Sequence, residues 1–190
     1  EDAPQPCAVD WPVEQDLAYR AWRLLEQAAD RSIPVAATIE KRIPPGAGLG
    51  GGSSDAAAML VALNQFANLN LSANQLTELA MQLGSDVAFL VAALTGRPGA
   101  LVSGVGERIE PVDQTVPRHL LLILPPLSCA TGAVYRAFDQ LQGDSATLQP
   151  DRVRELAASQ TLDAEALFND LAEPACHVQP ALRSLRDRVA

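Results

Sequence analysis

Between Ile43 and Leu63 the chain reads IPPGAGLGGGSSDAAAMLVAL. Five of the seven residues from Gly46 to Gly52 are glycine, two serines follow, and a helix-forming run begins. Glycine loses more conformational freedom on folding than any other residue. Such a run is kept where the backbone must turn through positive φ, or where a ligand must reach the peptide groups themselves. A turn of this kind at the mouth of a helix is an anion site. The first N–H groups of the helix have no intrahelical partner, and the helix dipole adds partial positive charge there. Each such contribution to an exposed charge is about 0.3–1 kcal/mol, and several converging donors suit a polyphosphate. A flexible surface linker would have polar flanks, whereas here Pro44-Pro45 leads in and an alanine-rich run leads out.

Two common phosphate loops do not fit. The G-x-x-x-x-G-K-[ST] pattern fails because Gly52 follows Gly51 and no lysine comes after it. The G-x-G-x-x-G pattern does occur at Gly46, Gly48 and Gly51. It requires a second parallel strand after the helix, with an acid roughly 20 residues on. Here the helix runs instead into NQFANLNLSAN and a further helical pattern.

The elements that must position this loop follow from periodicity. Leu17, Ala21, Trp22, Leu25 and Ala28 predict an amphipathic helix over 13–29. Alternation in IPVAATIEKRI predicts a strand leading into the loop, and a helix is expected from about Ser54 to Ala67. Ser72 and Gln75 form a capping-box pair ahead of the stripe Leu76, Leu79, Ala80 and Leu83, which Gly84 ends. GALVSGVGERIEPV reads as strand, tight turn, strand. Residues 111–117 form a candidate domain joint, followed by a buried strand in HLLLILPP. Helices are then expected over 131–141, 151–158 and 164–171, with a last one from Pro180. This order is α+β, with a mixed sheet packed on one side by helices.

Composition narrows the partners. A hydrophobic content of 48% with 19% charged residues suits a globular core. A net charge of −9 argues against nucleic acid or an anionic membrane, both of which reward clustered Lys and Arg. It leaves room for an anion held by backbone amides. Cys7, Cys129 and Cys176 are odd in number and far apart, which favours reduced thiols in the cytoplasm over disulfides or zinc. His119 and His177 have no paired ligands, and no metal site is expected from them. No apolar run reaches the roughly 18 residues of a membrane span.

The string PPGAGLGGGSSDAA resembles the phosphate loop of the GHMP kinase superfamily, and its triple glycine before Ser-Ser-Asp is similar to one branch of it. LGSDVAFLV (83–91), GVGERIEPV (104–112), LILPPLSCATGAVYRAFD and FNDLAEP resemble further segments of that branch, in the same order. The resemblance implies a GHMP kinase fold. Its N-terminal part, 1–114, would be ribosomal-protein-S5-domain-2-like and ATP-binding; 115–190 would be a ferredoxin-like C-terminal domain, both incomplete. It implies ATP-dependent phosphorylation, with Mg²⁺, of the 2-hydroxyl of 4-diphosphocytidyl-2-C-methyl-D-erythritol, by a cytoplasmic monomer or homodimer. Alternatives are a homoserine- or mevalonate-type kinase, or an inactive nucleotide-binding homologue.

Carried over residue by residue, the nucleotide is held by Pro45, Gly46, Ala47, Gly48, Leu49, Gly50, Gly51, Gly52, Ser53, Ser54 and Asp55. Asp86 is the catalytic carboxylate that accepts or aims the substrate hydroxyl proton; by its sequence context alone it also suits a helix N-cap. Ala88 stands where the family has Pro, Ser85 where it has Ala, and Asp16-Leu17 where it has Asn-Leu near the base. The family's opening K-[IVL]-N-L and Gly-Tyr-His segments and its closing Ser-Gly-Ser-Gly turn do not occur. Lys41, the only lysine, is expected to meet phosphate or solvent rather than to catalyse. These residues alone are therefore expected not to turn over substrate. Trp11 and Trp22 are expected to serve packing; the alternative, with Asp16 close by, is that one of them borders the base.

Overall fold

The structure, a computed structural model, describes residues 7–112, 116, 119, 121–142, 150–159, 161 and 166–189. It divides into two compact units, Glu1–Thr115 and Val116–Ala190.

The first unit is built on four helices. A 3-10 turn at Val13–Gln15 precedes α1, Leu17–Ala29. Asp16 caps α1 by accepting a hydrogen bond from the Ala18 N–H. Then come α2 (Gly51–Phe66), α3 (Ala73–Met81) and α4 (Ser85–Leu94). The expected capping box at Ser72 and Gln75 is present in full. Ala21 and Leu25 of α1, Ala56, Ala57 and Leu60 of α2, Leu76 and Ala80 of α3, and Val87, Ala88 and Val91 of α4 form one buried cluster. The two alanines on α2 let neighbouring backbones close in just after the loop. A core Leu cut to Ala here would cost about 2–5 kcal/mol.

Behind α4, β1 (Ala100–Ser103) and β2 (Arg108–Pro111) form an antiparallel hairpin, as the sequence suggests. This is the only ladder among the described residues. The expected strand over 33–43 joins no ladder among the described residues, where one backbone bond, from the Cys7 N–H to the Lys41 carbonyl at 2.6 Å, reaches it. The expected mixed sheet is likewise absent among the described residues. Helix α2 starts at Gly51, one turn earlier than expected, so the last glycines belong to the helix itself.

In the second unit, α5 (Thr131–Gln142), α6 (Pro150–Ala158), α7 (Ala172–Val178) and α8 (Ala181–Val189) follow one another. The expected buried strand in HLLLILPP is not formed: Leu121 to Leu124 are exposed, unladdered backbone. Of the helix expected over 164–171, Ala164 and Glu165 lie outside the described residues, and 167–169 are not helical. The helix begins instead at Ala172. Pro174 reads as a breaker, but in the first turn of a helix its missing N–H has no bond to lose. His177 accordingly lies in the last turn of α7, not in a connection.

Candidate active site

The chain enters the loop through Lys41-Arg42-Ile43 and leaves it as α2. Gly46, Gly48 and Gly50 have φ of +75°, +70° and +69°. Gly50 is the N-cap of α2, in the left-handed region and without a side chain to cap the helix. Ser54 N–H donates to the Gly50 carbonyl at 2.8 Å, closing the first helical bond. The N–H groups of Gly51, Gly52 and Ser53, in the first turn of the helix, have no partner among the described residues. Gly51 also packs against Ile43: a Cβ there would lie 2.8 Å from the Ile43 Cβ, so the loop closes on its own entry segment. Pro45, Gly46, Gly48 and Leu49 are exposed, and Ala47 is half-buried. Ser54 Oγ donates to the Gly51 carbonyl at 2.7 Å, which leaves only its lone pairs for a ligand. The Ser53 hydroxyl has no partner among the described residues.

Asp55 differs from the other loop residues. Its carboxylate is engaged by Lys41 Nζ at 2.8 Å, and the same ammonium lies 2.8 Å from Asp16 Oδ2. Lys41 is therefore neither solvated nor free for phosphate; its side chain is 9% exposed. The Asp16 side chain meanwhile accepts from Ala18 N–H (2.9 Å) and Trp11 Nε1–H (3.3 Å). One ammonium thus joins the start of α1, the entry to the loop and the first turns of α2. Burial pulls the Asp16 carboxyl upward, but its bonds to Lys41, to the Ala18 amide and to Trp11 outweigh burial and hold it below the usual range. Burial lowers Lys41, and its two carboxylate partners more than reverse this. The triad was not foreseen as a unit. The signal for it was a lone lysine in a chain whose other cations are arginine.

Next to Lys41 opens a cleft of about 380 Å³ lined by Trp11, Asp16, Tyr19, Trp22, Ile39 and Met59, among others. Both tryptophans border it, and their N–H groups are satisfied by Asp16 and by the Ile33 carbonyl (3.1 Å). Tyr19 and Trp22 meet edge to face at 6.1 Å. This is a largely apolar cleft beside Lys41, of the kind an aromatic base can enter.

Asp86 is in the first turn of α4 and is exposed. It is not the N-cap, which is Gly84, so the capping expectation fails by two residues. Its carboxylate has no hydrogen bond or ion pair among the described residues. Helices α2 and α4 share the buried cluster, through Ala56 and Ala57 after the loop and Val87 and Ala88 after Asp86. Glu107 is a turn residue: its carboxylate accepts from Val105 N–H at 2.7 Å. Among the described residues no group of three or more His, Cys, Asp or Glu could hold a metal ion.

Comparison with known proteins converges on this region. Residues 16–96 match the family described as GHMP kinases N terminal domain. The chain is 42% identical over 135 residues to 4-diphosphocytidyl-2-C-methyl-D-erythritol kinase of Tolumonas auensis, covering 71% of this chain and 46% of the relative. It is 40% identical over 163 residues to the protein of the same name from Pelotomaculum thermopropionicum, covering 86% and 55%. The crystal structure of a 4-(cytidine 5'-diphospho)-2C-methyl-D-erythritol kinase superposes with a TM-score of 0.69 at 36% identity, over 97% of this chain and 66% of that one. The chain spans about half the length of the curated relatives it matches.

Proposed function

Since this chain belongs to the GHMP kinases by its residues 16–96, we propose that the protein transfers the γ-phosphoryl group of ATP to the 2-hydroxyl of 4-diphosphocytidyl-2-C-methyl-D-erythritol. The observation that carries the reading is the helix mouth: three consecutive amides, Gly51 to Ser53, unpartnered behind a left-handed glycine cap. They receive the phosphates, and the aromatic cleft beside Lys41 receives the base. Lys41 neutralises Asp55, which would otherwise repel the polyphosphate from one helical turn away.

Phosphoryl transfer asks the protein chiefly for position and charge. Asp86, exposed and unpaired, accepts the hydroxyl proton as the substrate oxygen bonds to the γ-phosphorus. The bond from that phosphorus to the β,γ-bridging oxygen breaks, and ADP leaves. A Mg²⁺ ion bound with the nucleotide would supply charge neutralisation to the phosphates. The Ser53 hydroxyl and the Ser54 lone pairs are the groups on α2 with capacity for it. We place the nucleotide function in residues 1–114, treat 115–190 as the C-terminal domain, and site the reaction in the cytoplasm. Three unpaired thiols support the last point.

The test is steady-state kinetics with the chain expressed in its full reading frame. Asp86→Asn should lower kcat by orders of magnitude while ATP affinity, measured by calorimetry, stays within about twofold. An unchanged kcat removes Asp86 from the mechanism. Failure of the protein to release ADP in the presence of the cytidyl alcohol removes the substrate.

A further inference from the structure

The segment GVGE, Gly104 to Glu107, is not used by the mechanism above, yet its construction is specific. The β1–β2 register pairs Ser103 with Arg108, which makes these four residues the whole connection. Gly106 N–H donates to the Ser103 carbonyl at 3.2 Å, and the Glu107 carboxylate takes the Val105 amide. Gly104 and Gly106 have φ of +72° and +99°. Gly104, Val105 and Glu107 are exposed, Val105 to 86%. Gly106 alone in the turn is buried.

What buries it is Ser85, the residue before Asp86. A Cβ on Gly106 would lie 2.8 Å from the Ser85 Cα and 3.2 Å from its Oγ, and would overlap its Cβ outright. The Cα and Cβ are fixed by the backbone and, unlike the end of a long side chain, cannot swing aside. Ser85 is the first residue of α4, whose N-cap Gly84 offers no side-chain bond to the helix. The first turn of α4 therefore takes its support from outside, from the tip of the hairpin.

We propose that Gly106 is a positioning residue for Asp86: its missing side chain lets the hairpin tip seat on Ser85 and fixes the turn that carries the carboxylate. The proposal rests on the reading of Asp86 given above. Asp86 cannot stay in place if Ser85 moves, since the two are consecutive in one helical turn. Misplacement of a reacting group by about 1 Å can cost roughly 100-fold in rate.

Three variants, in the full reading frame, test it by kinetics and thermal melting. Gly106→Ala should lower kcat at least about tenfold, with the ATP KM within about twofold and a cooperative melt retained. Gly104→Ala also puts a Cβ on a positive-φ residue of the same turn but faces only the Glu107 side chain; it should leave kcat within about twofold. Ser85→Gly added to Gly106→Ala should return part of the lost kcat. Equal losses in Gly104→Ala and Gly106→Ala, or no rescue by Ser85→Gly, overturn the proposal. If Gly106→Ala does not fold, Ser85→Thr crowds the contact from the other side without touching the turn's φ. It should lower kcat with KM kept, and an unchanged kcat overturns the proposal. If Asp86→Asn keeps full activity, the reading of Asp86 falls instead. The seating itself is then still read from non-additive melting temperatures of Gly106→Ala and Ser85→Gly.

Discussion

Lys41 sits between two carboxylates, and that arrangement fixes a pH response. Asp16 is held below its ordinary value, so its contribution to stability is present above about pH 3.9 and is lost as pH falls through the lower folded value. Lys41 is held above its ordinary value, so its contribution is full below about pH 10.4 and is lost as pH rises through the higher folded value. Denaturant midpoints between these limits should show no step from the triad. Lys41→Met removes the shared partner and leaves two half-buried carboxylates facing each other. It should cost about 3 kcal/mol, the low end for breaking a buried pair. Adding Asp16→Asn and Asp55→Asn should recover much of that in the same urea melts. A single Lys41→Met with unchanged stability would show that the pairs contribute nothing.

At the scale of elements, the prediction concerns residues 34–40. They are largely exposed, belong to no ladder and have no backbone partner among the described residues, and they flank an apolar groove of about 720 Å³ with Met59, Leu63 and Phe66 on its far wall. An unpaired edge beside apolar surface is a template for a second copy of the chain. The 190-residue chain should associate at micromolar concentration, and Ile39→Lys should return it toward monomer in light scattering. Association unaffected by Ile39→Lys would clear this edge. The same residues show what the sequence could and could not disclose. Helices α1, α3 and α5 were legible because their signals are local: an apolar repeat, Ser72 with Gln75, Gly84 at the stop. The loop was legible because glycine states its own backbone demand. A strand is completed by a neighbour that its own residues do not name, so the alternation in 33–43 and the apolar run at 121–124 foretold strands but not the absence of a ladder for them among the described residues. The seating of Gly106 on Ser85 joins residues distant in sequence, and nothing in GVGE announced it.

Across the whole chain, buried contacts are unevenly shared. The first unit holds the large cluster, from Ala21 to Val91. Among the described residues of 116–190 only Val134, Ala137, Pro174 and Cys176 are buried. Local opening follows buried apolar contact. Amide exchange should therefore be slowest in α1, α2 and α4 and markedly faster throughout α5 to α8, and equal protection would contradict this. Lys41 is also the only side-chain amine the chain possesses. An acylating reagent has no other lysine to modify, and this one is shielded by its two acids. The speed at which such a reagent marks the protein becomes a clock for how often the ion triad parts, read at a single atom by mass spectrometry.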